Sequence, residues 1–280
     1  KPVLGNYTPA DYTTRREWAG ARDGALIPIS IVHRADTPVD RTAPLVVYAY
    51  GAYEISMPTR FSIPRLSLLD RGVVYAIAHV RGGGEMGKSW YEQGKLANKM
   101  NTFTDLIDAT RHLTDAGYGD PHRVGVRGGS AGGLTVGAAV NLDPGRFRAA
   151  VAEVPFVDVV NTMLDEGLPL TVVEWEEWGN PNIEGEYRWM RAYAPYENLT
   201  AGVYPAMLIT AGLNDPRVQY WEPAKWAAEL RIIAMGDRPV LLKTEMGAGH
   251  FARSGRYDVW RDEAFVLAFM LDELGAIEEE

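Results

Sequence analysis

The sequence predicts an α/β fold, a mostly parallel central sheet covered by helices on both faces. Three observations carry that reading. Short continuous apolar runs recur along the chain, segments with a helical apolar period lie between them, and a glycine-rich turn holding a serine stands where one run gives way to one such segment. Continuous rather than alternating hydrophobicity is what a strand buried on both faces requires. Strands that alternate with helices return through crossovers into a parallel sheet.

The elements follow in order. Residues 15–34 read as a hairpin, with a strand at 16–19, a turn at Arg22-Asp23-Gly24 and a second strand at 27–32. Buried strands are expected at 45–49, 73–78, 124–126, 149–152, 206–210 and 240–242. Helical spacing marks Phe103, Leu106, Ile107, Thr110 and Leu113, then Leu134, Ala138 and Leu142, then Trp226, Ala227, Leu230 and Ile233, and last Phe265, Phe269 and Leu274. No repeat, low-complexity stretch or Gly/Ser linker divides the chain, so residues 1–280 read as one domain.

Composition narrows the function classes. The 280 residues are 46% hydrophobic and 23% charged, which excludes disordered and fibrous chains. No run of eighteen apolar residues is present, and Lys1-Pro2-Val3-Leu4-Gly5 turns polar at once instead of opening a signal segment. Cysteine is absent, which excludes disulfides and thiolate chemistry, fits a reducing compartment and makes a cytoplasmic location the expectation. With 28 basic against 37 acidic residues the net charge is −9, a field that repels nucleic acid and anionic membrane. Much of the imbalance is local, since residues 165–186 hold Asp165, Glu166, Glu174, Glu176, Glu177, Glu184 and Glu186 without a lysine or arginine.

In α/β sheets the chemistry collects at the carboxyl ends of the strands. There, after the run at 124–126, stands Gly128-Gly129-Ser130-Ala131-Gly132-Gly133, a G-x-S-x-G turn between a strand and a helix. Glycines let so sharp a turn pack, and the helix N-terminus sets unpaired N–H groups and a partial positive charge beside Ser130. Of the five histidines only His250 follows Ser130, in a loop beyond the last buried run. His79 ends a strand ahead of the serine and reads as structural, whereas His112, in a helix, and His122, in a turn, read as surface residues. The acid that must orient the imidazole follows the serine and precedes the histidine in such folds. Asp215, directly after the run at 206–210, is assigned, with Glu153 as the alternative. A rival match, Gly82-Gly83-Gly84-Glu85-Met86-Gly87, satisfies G-x-G-x-x-G, but no helix opens inside it as a dinucleotide site demands. No histidine pair has metal-ligand spacing, so no cofactor or metal is expected.

Taken together, these residues resemble the catalytic domain of the prolyl oligopeptidase family of serine peptidases, on its oligopeptidase B side. Tyr50-Gly51-Ala52-Tyr53, His79-Val80-Arg81-Gly82-Gly83-Gly84-Glu85, the serine turn, Glu177-Trp178-Gly179-Asn180-Pro181 and Val218-Gln219-Tyr220-Trp221-Glu222-Pro223-Ala224-Lys225-Trp226 carry the likeness. It implies an α/β-hydrolase fold and endopeptidase action on short peptides after Arg or Lys. It further implies that the Tyr50 hydroxyl joins the Ala131 backbone N–H in an oxyanion hole and that Arg217 binds a substrate carbonyl. Tyr50 also ends the run at 45–49, near where the second oxyanion donor of such folds originates.

Glu174-Trp175-Glu176 bears on specificity. In an extended stretch alternate residues share a side, so Glu174 and Glu176 would present two carboxylates to a desolvated lysine or arginine, with Trp175 and Trp178 walling the site. The plain alternative is a solvated acidic loop; the resemblance favours the pocket. Two departures qualify it. Ser56-Met57-Pro58-Thr59-Arg60 carries no acid where the family commonly has acids for a second basic side chain, so dibasic preference is not expected. The β-propeller that precedes the family's catalytic domain is also missing, so a catalytic-domain fragment or processed chain is expected, with the propeller as an intramolecular or separate-chain partner. Against the peptidase stand a prolyl-oligopeptidase-like enzyme or carboxylesterase without basic specificity and a catalytically silent relative.

Overall fold

The computed structural model describes residues 5, 7–251 and 255–277. Residues 1–4, on which the signal-segment reading rests, lie outside them. The hairpin is present as β1 (Tyr12–Gly20) and β2 (Leu26–Arg34), paired antiparallel with Tyr12 opposite Arg34. After it come β3 (Leu45–Tyr48), α1 (Ile63–Leu69), β4 (Val74–Ala78), α2 (Lys88–Glu92), α3 (Met100–Asp115), β5 (Val124–Gly129), α4 (Ala131–Leu142) and β6 (Ala149–Glu153). The second half adds α5 (Val159–Leu164), α6 (Thr171–Trp178), α7 (Glu184–Tyr193), β7 (Gly202–Val203), β8 (Ala206–Gly212), α8 (Trp221–Ile233), β9 (Ala234–Met235), β10 (Val240–Glu245) and α9 (Arg256–Glu273).

One sheet runs β1-β2-β4-β3-β5-β6-β8-β10, antiparallel where β2 meets β1 and β4 and parallel from β4 to β10. The pleat sends neighbours to opposite faces. Val47, Ala76, Ala150 and Ile209 point into a core shared with Leu106 and Ile107 of α3, Val136 of α4 and Trp226 of α8. Val46, Tyr75, Val151 and Leu208 point the other way, against Leu68 and Leu69 of α1 and Val266 and Met270 of α9. Both faces are therefore covered, which is why these strands read as unbroken apolar runs. The short ladder of β7 with β9 stands apart from the main sheet. A third cluster joins Leu134 and Ala138 of α4 to Val159, Met163, Trp178 and Met190 of α5, α6 and α7. It caps the carboxyl edge of β5 and β6, where the functional residues collect.

Candidate active site

Ser130 occupies the turn between β5 and α4 with φ 57° and ψ −120°, a conformation that costs a non-glycine residue about 1–3 kcal/mol. Backbone packed on every side holds it there. Ser130 donates its N–H to the Glu153 carbonyl at 2.8 Å and accepts on its own carbonyl from Phe156 N–H at 3.2 Å. A Cβ on Gly128 would stand 2.3 Å from the Gly132 carbonyl oxygen, and one on Gly132 would stand 2.7 Å from that of Ala49. Those two positions require glycine for close approach, as the sequence implied.

The loop after β10 brings His250 to the serine. Its Nε2 lies 3.0 Å from Ser130 Oγ, and its Nδ1 lies 2.7 Å from Asp215 Oδ2. The other Asp215 oxygen accepts the Arg217 and Val218 N–H groups at 2.8 and 3.0 Å, so the turn after β8 fixes the carboxylate itself. Asp215 has no exposed side-chain surface and His250 little, an arrangement in which the carboxylate selects the tautomer that leaves Nε2 facing the hydroxyl. The alternative acid is engaged elsewhere. Glu153 takes Arg127 at 2.9 and 3.0 Å, and Arg127 reaches on to Glu263 of α9. His79 is buried between Ser30 Oγ at 2.7 Å and Glu85 Oε1 at 3.1 Å, a structural position. His122 is exposed, but His112 is half-buried, contrary to its expected place on the surface, because α3 turns it toward Glu17 of the hairpin.

A cavity of about 260 Å³ opens beside Ser130, lined among others by Tyr50, Tyr53, Phe156, Met163 and Glu174. Ala131 is the first helical residue of α4, so its N–H has no intrahelical acceptor and borders the same space. Burial, together with the charges of Glu174 and Glu177, pushes the Tyr50 hydroxyl up to about 12, so it keeps its proton and remains a donor. Arg217 is exposed at the rim, its guanidinium 5.4 Å from the Phe251 ring.

The acidic triplet departs from its expected form. Residues 174–176 are helical, within α6, so positions two apart project to opposite sides instead of one. Glu174 faces the cavity, while Glu176 is exposed and outside its lining. Period two was the wrong period. Burial raises the Glu174 carboxyl above the usual carboxylate range, opposed by its contacts with Trp178 and Tyr53. The expected tryptophan walls stand behind the cavity: Trp178 is fully buried and donates to Glu174 Oε2 at 3.2 Å, and Trp175 donates to the Met163 carbonyl at 3.0 Å. Tyr53, Phe156 and Met163 form the wall instead. Sequence reasoning passed over these, though Phe156 lies just past the carboxyl end of β6, the position that the sheet rule marks. The second glutamate at the site is Glu177, 3% exposed, which accepts Tyr53 N–H at 3.0 Å and the Tyr91 hydroxyl at 2.6 Å.

Known proteins share this architecture. Residues 59–276 match the prolyl oligopeptidase family. Dipeptidyl aminopeptidase BI of Pseudoxanthomonas mexicana is 53% identical over 98% of this chain and 38% of its own length. Protease 2 of Moraxella lacunata is 48% identical over all of this chain and 40% of its own. Among solved structures, oligopeptidase B from Trypanosoma brucei, with covalently bound antipain, superposes with a TM-score of 0.97 at 46% identity, covering 99% of this chain and 39% of that one. Oligopeptidase B from Leishmania major gives 0.96 at 44%, covering 98% and 38%. The chain thus spans about two fifths of the length of the relatives it matches. With its α/β-hydrolase sheet and likeness to oligopeptidase B, this chain belongs to the prolyl oligopeptidase family of serine peptidases.

Proposed function

We propose that this chain is the catalytic part of an endopeptidase that hydrolyses short peptides after arginine or lysine through an acyl-enzyme on Ser130. One observation carries the reading: the Ser130–His250–Asp215 hydrogen-bonded chain opens onto a cavity that contains Glu174. In the proposed cycle His250 Nε2 takes the Ser130 proton as Oγ attacks the scissile carbonyl. Ala131 N–H and the Tyr50 hydroxyl receive the developing oxyanion, each such donor being worth about 2.7–4 kcal/mol. The imidazolium, steadied by Asp215, then protonates the leaving amine, and water repeats the sequence to free the acid. Glu174 offsets the desolvation of the substrate cation, while Arg217 at the rim receives a substrate carbonyl. A propeller, covering the cleft from another part of the protein, is proposed as the partner that restricts access to short peptides. The relatives' greater length supports it.

The test is a panel of reporters ending in arginine, lysine, proline and alanine, each with a blocked and a free N-terminus, alongside a fluorophosphonate label. The expected result is His250-dependent labelling of Ser130 and preferred cleavage of blocked arginine and lysine reporters. Preference for the free terminus would make it a dipeptidyl aminopeptidase, and neutral-ester turnover without cationic preference an esterase. Absence of both labelling and turnover would mark a silent relative.

A further inference from the structure

The segment from Tyr50 to Glu54, which offers the proposed oxyanion donor, has an improbable backbone. Gly51, Tyr53 and Glu54 all lie at positive φ, 77°, 58° and 58°. For a bulky residue such as Tyr53 that conformation is an outlier, and it persists only where the surroundings over-determine it. Two buried charged side chains do so from different elements. Lys99, 1% exposed, precedes α3 and donates its ammonium to the Gly51 carbonyl at 2.5 Å. Glu177 of α6 accepts the Tyr53 N–H. Gly82 completes the seat, since a Cβ there would stand 2.1 Å from the Gly51 carbonyl oxygen.

An ammonium is an expensive way to fill this space. Its walls are aromatic, with the Trp178 ring centroid 5.0 Å and that of Phe103 5.8 Å from Lys99 Nζ. Burial pushes the lysine down to about 8, with Glu177 opposing. A methionine would fill the same volume without that cost. What a methionine lacks is a donor for the Gly51 carbonyl. Glu177, three residues after Glu174 on one helix, also ties the loop to the cavity's acid, and Trp178 stacks edge-on against Tyr53 at 5.5 Å.

We propose that Lys99 and Glu177 are positioning residues: they lock loop 50–54 against α6, so that the Tyr50 hydroxyl and the Glu174 carboxylate meet the same substrate residue. This rests on the reading of Tyr50 as an oxyanion donor, and it assigns the lysine an effect on turnover that a core-filling side chain would not have. The test is a double-mutant cycle of Lys99→Met with Tyr50→Phe, in the protein that carries this chain, on an arginine amide and a neutral ester. Thermal melts accompany each variant. Lys99→Met is expected to lower kcat about 10- to 100-fold on both substrates with KM within about twofold, and to add less than about threefold once Tyr50 is phenylalanine. Glu177→Gln, which keeps an acceptor for Tyr53 N–H, is expected to give a milder loss that Tyr50→Phe likewise absorbs, and it decides the cycle if Lys99→Met does not fold. Full multiplication of the losses in folded variants, or an unchanged kcat, overturns the positioning role alone. An unchanged kcat in Tyr50→Phe by itself takes down both this inference and the oxyanion reading.

Discussion

Ser130 and Glu174 face one cavity but are held by different means. Around Ser130 the constraints are backbone: carbonyls of Glu153, Ala49 and Gly132, and glycines that leave no room for a Cβ. Around Glu174 they are side chains: Trp178 of the same helix holds the carboxylate, and Glu177 beside it reaches to Tyr53 and Tyr91 from distant parts of the chain. Backbone packing is compressed into consecutive residues and so leaves a motif. A side-chain network drawn from α2, α6 and the loop after β3 leaves none. The contrast also separates tolerance, because a turn fixed by backbone accepts no added atom, whereas a wall fixed by side chains can lose a charge and stay folded.

The largest effects are expected at the backbone-held side. Ser130→Ala removes the proposed nucleophile and should lower kcat about 10⁵- to 10⁶-fold, read on an arginine reporter, while the melting temperature stays close to that of the parent, since alanine meets the same φ. Gly128→Ala should abolish comparable activity and also depress the melting temperature, because its Cβ meets backbone at 2.3 Å. A Gly128→Ala protein as active as the parent would mean that the turn is not fixed by packing, and the comparison would collapse.

Across the cavity the losses should be selective. Glu174→Gln should cost the arginine reporter about 30- to 1,000-fold in kcat/KM, corresponding to about 2–4 kcal/mol, with a neutral ester changed less than about threefold. Proton binding makes the same change reversibly. Burial raises the Glu174 carboxyl, so its proton is taken up at a higher pH than by an ordinary glutamate. The arginine-to-neutral ratio should therefore begin to decline, as pH falls, while the pH is still above the range in which ordinary carboxylates take up a proton, and Glu174→Gln should make that ratio flat with pH. A ratio that falls equally in the variant would assign the titration to another group.

The same division accounts for what the sequence disclosed. The sheet, its strands and the Ser130–His250–Asp215 constellation were legible because buried strands read as continuous runs and because chain order restricts the choice of base and acid. The short helices α1, α2, α5, α6 and α7 were not anticipated. Five to ten residues give too few apolar repeats to define a period, and Glu174-Trp175-Glu176 suits a strand as well as a helix. Tertiary contacts decide that case. Trp178 and Glu177 must face inward together with Thr171, and only a helix places them so. Lys99 was invisible for another reason, since a lone lysine in sequence reads as solvated and nothing local announces that Trp178 will cover it.

The smallest expected effect falls on Glu176, and it sharpens the comparison from the other side. Had residues 174–176 been extended, Glu176→Gln would match Glu174→Gln in size, because both carboxylates would share one desolvated cation. In the helix Glu176 is exposed and acts on the cavity through water. An interaction across solvent is worth about 0–1 kcal/mol and is screened over about 8 Å at physiological salt. Glu176→Gln should thus lower kcat/KM for the arginine reporter less than about threefold at low salt, through the association rate, and leave it unchanged in 0.5 M salt. A loss that persists in high salt would mean that α6 unwinds when substrate binds and brings the second carboxylate in. Persistence in salt, more than the size of the loss, therefore separates a helix that stays formed from one that opens.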